Sequence, residues 1–134
     1  MSKIVTAALA AALLSAPLSQ AYAGPRDDII AAFKAQTGGA AAQLENGRAM
    51  FSKTFSTGKP DTPSCTTCHS ADPKRSGQTR TGKAIDPLAV SQTPARFTDK
   101  KKVDKWFRRN CTSVIGRECT AQEKVDFLSY MSSQ

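Results

Sequence analysis

The run Cys65-Thr66-Thr67-Cys68-His69 constrains this chain more than any other stretch of its sequence. A C-x-x-C-H run is typical of the attachment site of a covalently bound c-type haem. In such a site the two thiols add to the vinyl groups of the haem, and the adjacent histidine ligates the iron from the proximal side. His69 is the only histidine in the sequence, so it is the predicted proximal ligand.

Two other uses of a C-x-x-C pair fit the sequence less well. A zinc site needs a second pair of ligands, and Cys111 and Cys119, with seven residues between them, do not form a compact C-x-x-C knuckle. A thioredoxin-like redox pair needs a βαβ context, which the sequence does not indicate. The motif therefore favours haem attachment.

Residues 1–23 have the pattern of a secretory signal peptide. Lys3 gives a short basic start, an apolar run follows over residues 4–18, and Ala21-Tyr22-Ala23 supplies an A-x-A cleavage site. The apolar run is too short to span a bilayer, and no second one follows, so we expect no stable membrane insertion. We expect residues 24–134 to form a single haem domain in the periplasm, an oxidising compartment.

The predicted domain is basic. Removal of Lys3 with the signal peptide lowers the formal net charge from +8 to +7. For an exported protein with one covalent haem, this charge indicates binding of an acidic redox partner rather than nucleic acid. The alternative interpretation is that the basic surface serves only solubility. The predicted docking face is formed by the basic residues of one segment, namely Lys100, Lys101, Lys102, Lys105, Arg108 and Arg109.

Hydrophobic spacing predicts four helices. They run from Asp27 to about Gln36, from Ala41 to about Phe55, from a Thr98 cap to near Asn110-Cys111, and onward from the capping box Thr120-x-x-Glu123. In the third helix, Val103, Trp106 and Phe107 are expected to share the face that packs near the haem. Residues 70–91 show no clear period and are predicted to be an irregular loop around the haem.

Gly47 lies in the middle of the second predicted helix, where glycine is unfavourable. Close approach of another helix would explain it, and a turn at Asn46-Gly47 is the alternative. The Gly47-x-x-x-Phe51 spacing resembles the N-terminal helix of class I cytochromes c, which crosses the C-terminal helix. We therefore expect an all-α, class I cytochrome c-like fold with crossing terminal helices and an irregular loop around one haem.

Asp86-Pro87-Leu88 is the candidate support for the proximal ligand. An iron-bound imidazole normally donates its second N–H to a carbonyl. In class I cytochromes c, a Pro-Leu stretch at about this distance supplies that carbonyl and a leucine against the haem. The resemblance implies these roles for the Pro87 carbonyl and the Leu88 side chain, although the usual preceding glycine is absent, and a simple turn proline is the alternative.

The sixth iron ligand is less clear from the residues alone. Met50 and Met131 lie at helical spacing among apolar neighbours, which predicts core positions. The region where a class I axial methionine is expected contains Asn110 instead. The residues leave three interpretations open: Asn110 as ligand, Asn110 as a helix C-cap, and Met131 as the ligand of a plain electron carrier that stays six-coordinate.

Five stretches together resemble the sphaeroides haem protein family. They are residues 65–69, 77–83, 93–99, 105–111 and 115–120, and the resemblance covers nearly the whole of residues 24–134. It implies that Asn110 is the sixth ligand of the oxidised iron and leaves on reduction, so that the ferrous haem binds a diatomic ligand such as oxygen or nitric oxide. It also implies a dihaem cytochrome c or a membrane cytochrome b as the electron donor.

The resemblance further implies a disulfide between Cys111 and Cys119, and an even pair of remaining cysteines in an oxidising compartment is expected to be bridged. The chemistry of Asn110 agrees with its implied role, because an amide oxygen is a hard, weak donor better matched to ferric than to ferrous iron. No distal histidine or carboxylate pair is visible for proton delivery. The sequence therefore leaves open whether the protein is an enzyme that turns the diatomic ligand over.

Overall fold

The computed structural model describes residues 23–134, so the predicted signal peptide lies outside the described residues except for Ala23. The helices are α1 (Pro25–Ala35), α2 (Leu44–Ser52), α3 (Thr66–His69), α4 (Lys100–Val114) and α5 (Ala121–Ser133). Two short strands, β1 (Gly77–Gln78) and β2 (Ala84–Ile85), pair antiparallel. The fold is mostly helical, as predicted, but the segment predicted to be wholly irregular contains this ribbon. Between residues 23 and 134, no helix combines the length and the apolar composition that a membrane span requires.

The core is built around α5. Val125, Leu128 and Met131 of this helix are completely buried. Helices α1 and α2 both pack against α5. Phe33 of α1 meets Phe107 of α4 edge to face, with ring centroids 6.0 Å apart. This arrangement joins the two ends of the domain, because the first helices along the chain rest on the last one.

The crossing of α2 and α5 depends on Gly47. A Cβ atom at this position would lie 2.7 Å from the carbonyl carbon of Asp126 and 2.8 Å from Cβ of Tyr130, closer than real Cβ atoms approach their neighbours. The expectation of a close helix approach is therefore confirmed, and the alternative of a turn at Asn46-Gly47 is wrong. Asp126 reinforces the crossing, because its buried carboxylate accepts a hydrogen bond of 2.8 Å from the backbone N–H of Gln43, the N-cap of α2.

The predicted start of α5 is confirmed. The Thr120 hydroxyl accepts from the backbone N–H of Glu123, and the Glu123 carboxylate accepts from the backbone N–H of Thr120 at 2.8 Å. The predicted limits of α2 are too wide, since the helix covers residues 44–52 rather than 41–55. It begins at Leu44 because the Asp126 carboxylate caps the preceding N–H.

The predicted start and end of α4 are wrong. Asp99, not Thr98, is its N-cap and accepts a 3.0 Å hydrogen bond from the backbone N–H of Lys102, whereas the Thr98 hydroxyl donates to the Ala95 carbonyl. The helix continues to Val114, so Asn110 lies inside it, and the C-cap interpretation of Asn110 is also wrong.

Trp106 departs from the predicted packing face of α4. Val103 and Phe107 are buried, but Trp106 is 51% exposed. The buried stripe of α4 continues instead through Cys111 and Val114. Trp106 therefore lies on the flank of this stripe, where it shares a helix face with Asn110 one turn later.

Candidate functional site

The residues of the C-x-x-C-H run lie on one helical turn. The backbone N–H groups of Cys68 and His69 both donate to the Cys65 carbonyl, at 3.3 and 3.1 Å, and close this turn. The buried hydroxyl of Ser64 accepts from the backbone N–H of Thr66 at 3.2 Å and so fixes the entry to it. Side chains at positions i, i+3 and i+4 share one face of a helix. The fold therefore presents two thiols and one imidazole from a single face.

Burial changes the acidity of two groups in this turn. Cys65 and Cys68 are free thiols, and burial raises the pKa of the Cys65 thiol to about 11. Burial, with a smaller effect from the positive charge of Arg96, lowers the pKa of His69 to about 4. The imidazole is therefore neutral near pH 7 and keeps a lone pair for a metal. Reactive redox cysteines have lowered rather than raised pKa values, so the Cys65 thiol does not resemble that of a thioredoxin pair.

The segment after His69 packs tightly against the turn. A Cβ atom at Gly77 would lie 2.8 Å from Cα of His69 and would also meet the Cys68 carbonyl. Strand β1 therefore runs directly along the backbone that carries the thiol and the imidazole. The ribbon that the sequence did not predict thus holds the C-x-x-C-H turn from one side.

On the predicted proximal side, the structure differs in part from the sequence argument. Leu88 is buried by other residues of the chain, at 6% exposure, and its contact with the haem stays a prediction. Nε of Arg96 donates to the Pro87 carbonyl at 3.0 Å, whereas the predicted donor was the imidazole of His69. A carbonyl oxygen has two lone pairs, so this bond leaves one acceptor position for a second donor.

Asn110 lies on α4 with an exposed side chain. The next residue, Cys111, is joined to Cys119 by a disulfide with a Cα–Cα distance of 5.6 Å. Because these two cysteines are bonded to each other, they do not supply the second ligand pair of a zinc site. The disulfide ties α4 to the segment that leads into α5, immediately beside Asn110.

The loop that leads to Cys65 also holds this end of α4. The backbone N–H of Lys59 donates to the Ser113 carbonyl at 2.7 Å, and the hydroxyls of Thr62 and Ser113 are 2.8 Å apart. A Cβ atom at Gly58 would collide with the backbone of Ser113 and Val114, so glycine permits this contact. One loop therefore connects the C-x-x-C-H turn to the helix that carries Asn110.

Sequence reasoning missed two arginines. Arg96 donates to the carbonyls of Asp86 and Pro87, and Arg26 of α1 donates to the carbonyls of Pro94 and Arg96. A single arginine gives no signal of its own in a sequence, and the family resemblance over residues 93–99 assigned no role to Arg96. Their partners are backbone carbonyls, which carry no residue-type pattern that could have identified them.

Comparison with known proteins finds one matching family and two related c-type cytochromes. Residues 37–131 match the family described as Domain of unknown function (DUF1924). Cytochrome c-type protein SHP of Cereibacter sphaeroides is 53% identical over 131 residues, which cover 98% of this chain and 96% of that protein. Cytochrome c'' of Methylophilus methylotrophus is 33% identical over 95 residues, 70% of this chain and 66% of that protein.

Solved structures agree with these relatives. The structure of oxidised SHP, described as an oxygen-binding cytochrome c, aligns with a TM-score of 0.79 at 58% identity and covers 83% of this chain and 97% of that chain. Oxidised cytochrome c'' aligns with a TM-score of 0.68 at 27% identity, covering 82% and 94%. A solution structure of the same cytochrome, concerned with haem-ligand detachment, gives 0.66 at 27% identity, covering 81% and 93%. The chain therefore belongs to the sphaeroides haem protein family, a family of monohaem c-type cytochromes, and to DUF1924.

Proposed function

We propose that this chain is a periplasmic cytochrome in which reduction opens a binding site for a diatomic ligand. Cys65 and Cys68 hold the haem covalently, and His69 ligates the iron from the proximal side. Asn110 is the sixth ligand of the oxidised iron and leaves when the iron is reduced. The vacated position then accepts a small molecule such as oxygen or nitric oxide.

The position of Asn110 within α4 is the observation that carries this proposal. Its side chain is exposed and lies on the same helix face as Trp106, beside the buried stripe that faces the core. Its backbone belongs to a helix held on one side by the disulfide and on the other by the loop before Cys65. Release and return of the amide therefore require only side-chain rotation, with the backbone staying in place.

The chemistry of the amide favours this exchange. A neutral amide oxygen is a hard, weak donor, and reduction removes a positive charge from the iron. The ferrous iron therefore holds Asn110 less strongly than the ferric iron does. The relatives support the same interpretation, because SHP is described as oxygen-binding and cytochrome c'' has been studied for haem-ligand detachment.

Replacement of Asn110 tests the proposal directly. In the ferric state we expect Asn110→Ala to convert a low-spin spectrum to a high-spin one, because the sixth ligand is lost. Asn46→Ala is the matched control, since Asn46 is the only other asparagine and lies exposed on α2. An unchanged ferric spectrum in Asn110→Ala would contradict the proposed ligation.

The reduced protein gives a second, independent test. We expect dithionite reduction of the native chain to give a high-spin ferrous spectrum that changes on addition of carbon monoxide or nitric oxide. A low-spin ferrous spectrum that ignores both gases would favour a plain electron carrier with a permanent sixth ligand. The ligand considered for such a carrier is Met131, but this residue of α5 is completely buried in the hydrophobic core. Because its side chain is packed among core residues, we favour Asn110 as the sixth ligand.

The exposed side of α4 is the proposed docking face for the electron donor, a dihaem cytochrome c or a membrane cytochrome b. Lys101, Lys105, Arg108 and Arg109 are exposed and form no ion pair with a carboxylate of residues 23–134. These charges lie on the helix that carries Asn110, so a partner bound here is close to the haem. An acidic partner would neutralise the unpaired positive charge.

Salt and charge reversal test this docking face. We expect electron transfer from the donor to slow steeply as ionic strength rises, because exposed charges are screened within about 8 to 10 Å at physiological salt. Lys105→Glu should slow the reaction more than Lys83→Glu, which makes the same change of net charge on the β2 side. Equal effects of the two substitutions would contradict docking on α4.

A further inference from the structure

We infer that Trp106 is a specificity-determining residue of the proposed ligand site: its indole lies across the haem beside Asn110 and limits the vacated position to small molecules. The inference rests on the proposed ligation of the iron by Asn110. It goes beyond that proposal because it assigns the choice of ligand to a residue that does not itself bind the iron.

Trp106 lies one helical turn before Asn110 on α4. Residues i and i+4 of a helix share a face, with Cβ atoms about 5–6 Å apart. Three other residues of α4 are one turn from Asn110: Phe107 and Val114 are buried, and Ser113 is half-buried. Trp106, which is 51% exposed, is therefore the neighbour that stands on the same open side of the helix as the Asn110 amide.

A haem ligated by Asn110 extends over Trp106. A bond from an axial ligand to iron is perpendicular to the haem plane, so a macrocycle bound by a side chain that projects from α4 lies across the face of this helix. The asparagine side chain is short, which keeps the plane close to the helix surface. One turn of helix rises only about 5.4 Å, a shorter distance than a macrocycle with its substituents extends from the iron.

The indole is held in place by its neighbours. Nζ of Lys105 lies 5.6 Å from the centroid of the Trp106 ring, and the guanidinium carbon of Arg109 lies 5.5 Å from it. Cations within about 6 Å of an aromatic face attract it. Rotation of the Asn110 side chain therefore frees only the space of its own amide group, while the indole stays as a wall beside it. That space suits two atoms better than a branched molecule.

Two variants of Trp106 and one control test this role. Trp106→Ala removes the indole, and Trp106→Phe keeps a smaller ring. Leu44→Ala is the matched control, because it truncates another exposed apolar side chain, on α2. The probes are carbon monoxide and the bulkier tert-butyl isocyanide, whose association rates with the reduced, haem-loaded protein are measured by stopped flow. Circular dichroism in the Soret band of the ferric protein is the second readout, since it responds to aromatic rings next to a haem.

For Trp106→Ala we expect the rate for isocyanide to rise about tenfold or more relative to the rate for carbon monoxide, since a contact the size of one methylene is worth about 10–200-fold in a pocket. Trp106→Phe should lie between this variant and the native protein. Both should change the Soret dichroism, and Leu44→Ala should change neither quantity. The inference is overturned if the ratio of rates in Trp106→Ala equals that in Leu44→Ala, or if the Soret dichroism is native. An indole that serves only to anchor a partner protein would leave both quantities at their native values.

The same measurements distinguish failure of this inference from failure of the proposed function. If the native reduced protein binds neither probe, release of Asn110 is wrong, while the ferric Soret dichroism still decides whether Trp106 lies at the haem. If the native protein binds carbon monoxide and the ratio of rates is insensitive to Trp106, only the inference fails. If Trp106→Ala does not fold, Trp106→Phe decides by the same two readouts.

Discussion

Gly47 offers the sharpest quantitative test of the fold, because substitution by alanine has opposite effects on an isolated helix and on this packed one. In an exposed helix interior, Gly→Ala stabilises by roughly 0.5–1 kcal/mol. In α2, the added methyl group would lie 2.7 Å from the carbonyl carbon of Asp126 and 2.8 Å from Cβ of Tyr130. Ordinary carbon contacts are about 3.5–4.0 Å, so the two helices must separate locally by roughly 1 Å.

That separation cannot be absorbed by a side-chain rotation, since the Asp126 atoms belong to the backbone of α5. Overpacking of this kind costs about 1–3 kcal/mol and occasionally more. Allowing for the gain in helix propensity, we expect Gly47→Ala to lower the free energy of unfolding by about 1–2 kcal/mol. For a domain of this size, the melting temperature should fall by roughly 4–8 °C.

The assay is guanidinium unfolding of the haem-loaded ferric protein, followed by far-UV circular dichroism. Asn46→Ala is the control at the neighbouring exposed position, where alanine should be neutral or stabilising by a few tenths of a kcal/mol. The slope of the unfolding free energy with denaturant should be the same in both variants. Equal stability of Gly47→Ala and Asn46→Ala would refute the close crossing of α2 and α5.

Two further predictions concern the segment between α4 and α5. The hydrogen bond from Arg117 lowers the pKa of Glu123, so this carboxylate stabilises the fold above its ordinary pKa of 4.5 and loses that effect as the pH falls through the lowered value. Glu123→Gln can keep the capping hydrogen bond but loses the ion pair with Arg117, so it should cost roughly 0.5 kcal/mol at pH 7. This deficit should disappear in acid, as measured by thermal unfolding across pH; a deficit constant with pH would contradict the charge-based explanation. Joint replacement of Cys111 and Cys119 by serine should lower the unfolding free energy by about 2–3 kcal/mol, as expected for a short loop. If the bridge also holds the backbone of Asn110, the ferric spectrum of this variant should gain high-spin character, whereas an unchanged spectrum would leave the bridge a purely stabilising role.

The sequence alone identified the chemistry of the site and the main helices. A C-x-x-C-H run places all its functional atoms within one helical turn, so local spacing suffices to predict that they lie together. The capping box at Thr120 and the glycine at position 47 are equally local signals, and both predictions are confirmed. The residues left Asn110 as one of three interpretations of the sixth ligand, and the family resemblance selected it.

The tertiary structure decided what depends on contacts between distant segments. The start of α2 is set by a carboxylate 83 residues later in the chain, and the end of α4 is held by the loop before Cys65. The partner of the Pro87 carbonyl is an arginine of an irregular segment, although the sequence argument assigned that carbonyl to His69. Backbone carbonyls are common to every residue, so a sequence gives no indication of which side chain will reach them. Only the fold brings Arg26 and Arg96 to the segment that supports the proximal side.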